Sequence, residues 1–109
     1  MRLQIIESSS GKKIVDAYDE QAIVAEGNWY IAPDAVAHAH LELTAHEYVC
    51  PYKGRCFYVD FVDGESRVPR IAWVYDDPKP DWVHIKGHYG FYKGETAASF
   101  GKTREEIEA

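Results

Sequence analysis

The apolar positions of this chain fall in short runs with a period of two, separated by clusters of turn-forming residues, which is the pattern of half-buried β-strands. Residues 3–7 (Leu-Gln-Ile-Ile-Glu) and 13–18 (Lys-Ile-Val-Asp-Ala-Tyr) flank Ser8-Ser-Ser-Gly11. The glycine tolerates the positive φ of a tight turn, so the chain opens with a predicted hairpin. Strands are expected over 22–25 and 29–32, joined by a Gly27-Asn28 turn. Pro33, with no N–H and a fixed φ, ends the second of these, and 33–36 are expected to form one helical turn.

Further on, His38, His40 and Glu42 alternate with Ala39, Leu41 and Leu43, which predicts a strand with its histidines on one face. The strongest strand signals are 56–62 and 70–75, joined by Asp63-Gly64, a preferred hairpin turn, and these two should pair antiparallel. The proline-bearing stretch 76–81 reads as a loop. A last strand follows over 87–92, where Gly87 and Gly90 imply close backbone approach or a bend. Beyond Gly94 the chain is polar, and Thr103 with Glu106 has the form of a cap on a short helix. The expected fold is all-β: one compact domain of twisted antiparallel sheets over 1–93, with one or two short helical turns and a polar tail over 94–109.

Composition narrows the functional classes. A chain of 109 residues supports one core, and 46% hydrophobic with 14% aromatic residues is enough to fill it. The net charge of −6 and the scattering of the 12 Lys and Arg residues argue against binding a nucleic-acid backbone. The first apolar run is too short for a signal peptide, and no segment has the length of a membrane span. With only two cysteines, reduced thiols and a cytoplasmic location are expected. A monomer or weak homodimer is the expected state.

Candidate chemistry is concentrated in His46-Glu-Tyr-Val-Cys50-Pro-Tyr52-Lys53-Gly54-Arg55-Cys56-Phe-Tyr58. Cys50 is either a nucleophilic or redox thiol, activated by Lys53, or a small buried hydrophobe. Lys53 and Arg55 either bind an anionic group or are solvated cations beside an edge strand. Tyr52, Tyr58, Trp73, Tyr75, Tyr89 and Tyr92 are either core or the wall of a pocket for a planar ligand, and the Trp-x-Tyr spacing puts Trp73 and Tyr75 on one face. His46 and His88 are the candidate acid/base groups. His38, His40 and His46 lack the companion motifs of a zinc site, and the serines lack a nucleophile elbow, so neither a metal nor a cofactor is expected.

The ordered set Cys50-Pro-Tyr-Lys-Gly54, Tyr58, Trp73-Val-Tyr75, Pro78, Ile85-Lys-Gly87 and Phe91-Tyr92 resembles a small bacterial family, domain of unknown function 427. The resemblance runs from Gly11 to Tyr92 and leaves the segment after Lys93 outside. It implies an all-β domain similar to the β-tent fold of methionine-R-sulfoxide reductases, and it implies no reaction. Members are sometimes labelled nucleotidyltransferase-like, but the Gly-Ser pair and paired carboxylates of that chemistry are missing here. In relatives of the wider fold a second cysteine completes a zinc knuckle, and Lys53 stands at that place. The resemblance also implies that Cys56 is core.

Two functions remain open on this reading. One is a binding module for a small anionic or partly planar ligand, or a partner, using Cys50, Tyr52, Lys53, Arg55, Tyr58, Trp73 and Tyr75. The other is a small enzyme with Cys50 as nucleophile or redox thiol, Lys53 as anion binder, and His46 or His88 as acid/base. A subunit pairing through an exposed edge strand is a third use of such a sheet.

Overall fold

A computed structural model describes residues 1–109. The predicted opening hairpin is present as β1 (Arg2–Glu7) and β2 (Lys13–Tyr18), followed by β3 (Ala22–Ala25) and β4 (Asn28–Ile31). The long strands are β5 (Leu41–Cys50), β6 (Gly54–Asp63) and β7 (Ser66–Val74), and β8 (Tyr89–Tyr92) is short. A single α-helix, α1 (Gly94–Phe100), precedes β9 (Thr103–Glu108). The strands form two antiparallel sheets, ordered β2-β1-β9 and β3-β4-β8-β7-β6-β5. The fold is therefore all-β, with short 3-10 turns at Pro33–Ala35 and elsewhere, and its radius of gyration is 13.0 Å.

Three expectations are corrected. His38–His40 is a 3-10 turn, and β5 begins only at Leu41. Local contacts explain this: the His38 ring bonds the Pro33 carbonyl at 2.6 Å and the His40 ring lies 3.2 Å from the Val62 carbonyl. The two imidazoles thus diverge. The stretch after the 76–79 loop also closes into a 3-10 turn, Pro80–Ile85, which buries Ile85 and leaves Val83 exposed.

The third correction concerns the C-terminus. Residues 94–109 are no free tail, because β9 pairs with β1 along its whole length, from Arg2↔Glu108 to Glu7↔Thr103. Thr103 is a buried strand residue and not a helix cap; the helix lies earlier and ends at Gly101, which adopts the left-handed conformation (φ 73°). Glu105 of β9 accepts a hydrogen bond from the Trp29 indole at 2.8 Å and another from the backbone N–H of Gly94. β1 would otherwise present an open edge, and β9 covers it.

Strand alternation divides the six-stranded sheet into two unlike faces. Trp29, Ile31, Val59, Phe61, Ala72, Val74 and Phe91 point toward the three-stranded sheet and pack with Leu3, Ile5, Val15 and Ala17. Their neighbours in sequence, Tyr30, Cys56, Trp73 and Tyr75, point the other way and form a second buried cluster, flanked by Tyr58 and Tyr92. A register shift between Val59 and Phe61 interrupts the β6/β7 ladder. There Asp60 accepts the Arg70 backbone N–H at 3.0 Å and Arg67 at 2.7 Å, and Arg70 takes a positive φ of 53°.

Candidate functional site

The β5/β6 hairpin closes through Pro51, Tyr52 and Lys53, with Cys50 opposite Gly54. Gly54 has φ 103°, a conformation that side chains strain to reach. The following loop crosses the turn and ties it down: the Lys79 backbone N–H donates to the Lys53 carbonyl at 2.8 Å and its Nζ to the Pro51 carbonyl at 2.7 Å. Lys53 is only 7% exposed. Its Nζ donates to Glu26 Oε2 at 2.8 Å, lies 3.9 Å from Cys50 Sγ, and sits 4.8 Å from the centre of the Trp82 ring.

This arrangement sets two opposed charges. Burial works against the Lys53 ammonium, but the Glu26 hydrogen bond and the nearby Cys50 and Tyr30 groups carry its pKa above the ordinary lysine value. Burial likewise works against a Cys50 thiolate. The backbone N–H groups of Lys53 and Tyr52, together with the Lys53 ammonium, outweigh it and hold the thiol below its ordinary pKa. Cys56 is the reverse case: burial pushes its thiol up.

Beside Lys53 the outer face of the sheet opens into a cavity of about 350 Å³. Its floor is Tyr30 of β4, Cys56 and Tyr58 of β6, and Trp73 with Tyr75 at the end of β7; Asn28, Tyr48, Lys53 and Tyr92 complete the rim. Gly90 makes this geometry feasible. It stands between Tyr30 and Trp73 in the sheet, and a Cβ there would lie 2.3 Å from the Trp73 indole nitrogen. The indole therefore lies over bare backbone and donates to the Tyr30 hydroxyl at 3.2 Å. Trp73 also meets Tyr30 edge-on, with ring centres 6.2 Å apart, and Tyr92 at 4.9 Å. Burial raises the pKa of the Tyr30 and Tyr75 hydroxyls, so both stay protonated at neutral pH.

The residues expected at a site are distributed unevenly. Lys53, Tyr58, Trp73 and Tyr75 line the cavity, and Cys50 is packed in the same cluster behind Lys53. Tyr52 lies at the turn's apex, 74% exposed, and Arg55 is exposed on the other face, over Phe57 and paired with Glu47, so neither belongs to the cavity. His46 packs against Tyr58 with ring centres 4.9 Å apart, outside the lining. His88 bonds the Lys86 carbonyl, also away from it. Cys56, expected as core, is buried and yet forms part of the cavity floor.

Sequence reasoning passed over Glu26, Asn28, Tyr30 and Tyr48. The signal for Tyr30 was present in its alternation with Trp29 and Ile31. Glu26 gave none, because it lies 27 positions from Lys53 and meets it only through folding. A separate concavity of about 280 Å³ lies between β2 and the Pro33–Ala35 turn, where Lys13 and Asp16 already pair with each other. No helix is long and apolar enough to cross a membrane.

A family model described as a domain of unknown function (DUF427) matches residues 6–102. The match continues past Lys93, through α1, so the expected end of the resemblance was too early. No curated protein matches the chain.

Proposed function

The chain belongs to the DUF427 family, and from that starting point we propose that it is a binding domain for a small planar molecule, held in the aromatic cavity on the outer face of the larger sheet. The observation that carries this reading is the Gly90 gap: a strand gives up a side chain so that Trp73 lies flat, aimed at Tyr30. A core would fill the cavity beside that indole with apolar atoms. Here it is bordered by Tyr hydroxyls, an Asn side chain and an ammonium, groups that orient a ligand whose rings the aromatics hold. The Lys53–Glu26 pair acts as a fixed polar rim and not as an anion trap, since its charges already balance.

The test is a titration with phenol, as a minimal planar probe, followed by the indole N–H resonance of Trp73. Saturable movement of that resonance in the wild-type protein, and its loss in a folded Tyr30→Leu variant, is the expected result. An unmoved resonance at millimolar phenol would sink the reading.

The hydrogen-bonded, low-pKa Cys50 favours a second reading, a thiol enzyme whose nucleophile is stabilised by the turn and by Lys53. Alkylation separates the two. If iodoacetamide at neutral pH leaves Cys50 untouched in the folded protein and labels it after unfolding, the enzyme reading fails.

A further inference from the structure

Because Glu26 neutralises Lys53, an anionic group on the ligand needs cations elsewhere on the same face. Tyr58 and Tyr92 border the aromatic cavity and also a second one of about 140 Å³, which Arg70, Phe100 and Lys102 complete. We propose that this smaller cavity is an oxyanion subsite, where a phosphate or carboxylate carried by the planar ligand binds between Arg70 and Lys102. The inference rests on the planar-ligand reading for the ring, and on the two cations alone for the anion.

Both cations have donors to spare. Neither takes part in any of the ion pairs of the structure. Lys102 Nζ spends one donor on the Pro69 carbonyl at 2.7 Å, leaving two, and the Arg70 guanidinium makes no hydrogen bond to protein, leaving its whole fork. Asp60, the nearby carboxylate, is already engaged by Arg67 and by the Arg70 backbone.

The two charges also disfavour each other. Burial, and after it the charge of Arg70, lowers the Lys102 pKa, and an anion between them would relieve that repulsion. Arg70 reaches this position through a costly backbone state, its positive φ at the β6/β7 irregularity. The opposite wall comes from the C-terminal segment: α1 brings Phe100 face to face with Tyr92, ring centres 4.4 Å apart and planes 7° from parallel, and Lys102 follows directly. A guanidinium fork and an ammonium facing one space suit the several acceptor oxygens of an oxyanion.

The experiment is a two-dimensional amide NMR titration at low ionic strength with phenyl phosphate, benzoate, phenol and inorganic phosphate. Phenyl phosphate should move the Arg70 and Lys102 amides together with the Trp73 indole, while phenol moves the indole alone. Arg70→Gln combined with Lys102→Met should weaken phenyl phosphate about tenfold or more and leave phenol unchanged. The larger loss, of phenyl phosphate or of benzoate, identifies which oxyanion the site takes. Should the double variant misfold, raising salt from about 20 to about 200 mM on the wild type gives the same contrast, since screening weakens only the charged probe. Phenyl phosphate that binds no tighter than phenol, or that is indifferent to both the variant and salt, overturns the subsite. Inorganic phosphate moving Arg70 and Lys102 while phenol leaves Trp73 unmoved would retain the subsite and overturn the aromatic pocket.

Discussion

The two faces of the six-stranded sheet are made from the same strands, residue by alternate residue, and they differ in kind. The inner face is closed by aliphatic side chains with Phe61 and Phe91, and the Trp29 indole nitrogen there is met by Glu105. The outer face is built from Tyr, Trp and Cys, and its polar atoms are bonded: the Trp73 indole to the Tyr30 hydroxyl, and the buried Lys53 ammonium to the exposed Glu26 carboxylate. No buried side-chain nitrogen or oxygen is left without a partner. Hydrophobic burial alone accounts for the inner face. The outer face maintains a polar network around an open space, the feature on which the proposed ligand binding rests.

The most forceful way to break this comparison is to truncate the inner face. Phe61→Ala should cost about 3–5 kcal/mol of stability in chemical denaturation, through lost burial and a cavity in the closed layer. A loss below about 1 kcal/mol would mean that the inter-sheet layer is not the core. Gly90→Ala probes the outer face. Its Cβ must displace the Trp73 indole, at an overpacking cost of about 1–3 kcal/mol, and the near-UV circular dichroism of Trp73 and the phenol-induced shift should both change. If the variant keeps its tryptophan signal, the gap is not what orients Trp73.

A buried carboxylate provides a control outside both clusters. Burial opposes the Glu7 charge, but the N–H groups of Ser9 and Ser10 and the Ser9 hydroxyl hold its pKa below the usual carboxylate range. Its folded pKa is thus lower than its unfolded one, so its stabilisation is complete above the unfolded value and lost as pH falls through the folded one. Glu7→Gln should make the acid-side decline of the denaturation midpoint shallower and leave probe binding unchanged. Within the outer face, iodoacetamide should modify Cys50 several-fold faster than Cys56, and Lys53→Met should narrow that advantage without abolishing it, because the turn N–H groups remain. The smallest effect belongs to Arg55→Ala, which removes an exposed pair with Glu47 and a stack on Phe57 and should change stability by less than about 0.5 kcal/mol and phenol binding not at all.

Much of the outer face is legible in the sequence. Trp73 and Tyr75 share a face because strand side chains alternate; Gly87 and Gly90 implied close backbone approach or a bend, and at Gly90 what approaches the backbone is the Trp73 side chain. The failures have equally definite causes. His38 and His40 follow a period of two, yet bonds to the Pro33 and Val62 carbonyls hold them in a 3-10 turn. In β9 the run Thr103-Arg-Glu-Glu carries no apolar alternation, and it becomes a strand because β1 offers an open hydrogen-bonding edge. Tyr52 and Arg55 were grouped with Lys53 by nearness in sequence, whereas the turn sends the three side chains in different directions.

Alternation, turn residues and breaker residues act within a few positions, and such local terms were sufficient to assign most strands, the opening and β6/β7 hairpins, and the residues that share a face. Placing β8 between β4 and β7, which brings Gly90 between Tyr30 and Trp73, is a property of the assembled sheet. So are the Glu26 counter-charge on Lys53 and the arrival of Phe100 and Lys102 beside Arg70. Charges and rings act through space across distances of a few ångströms, and only chain packing brings residues so far apart in sequence within that range.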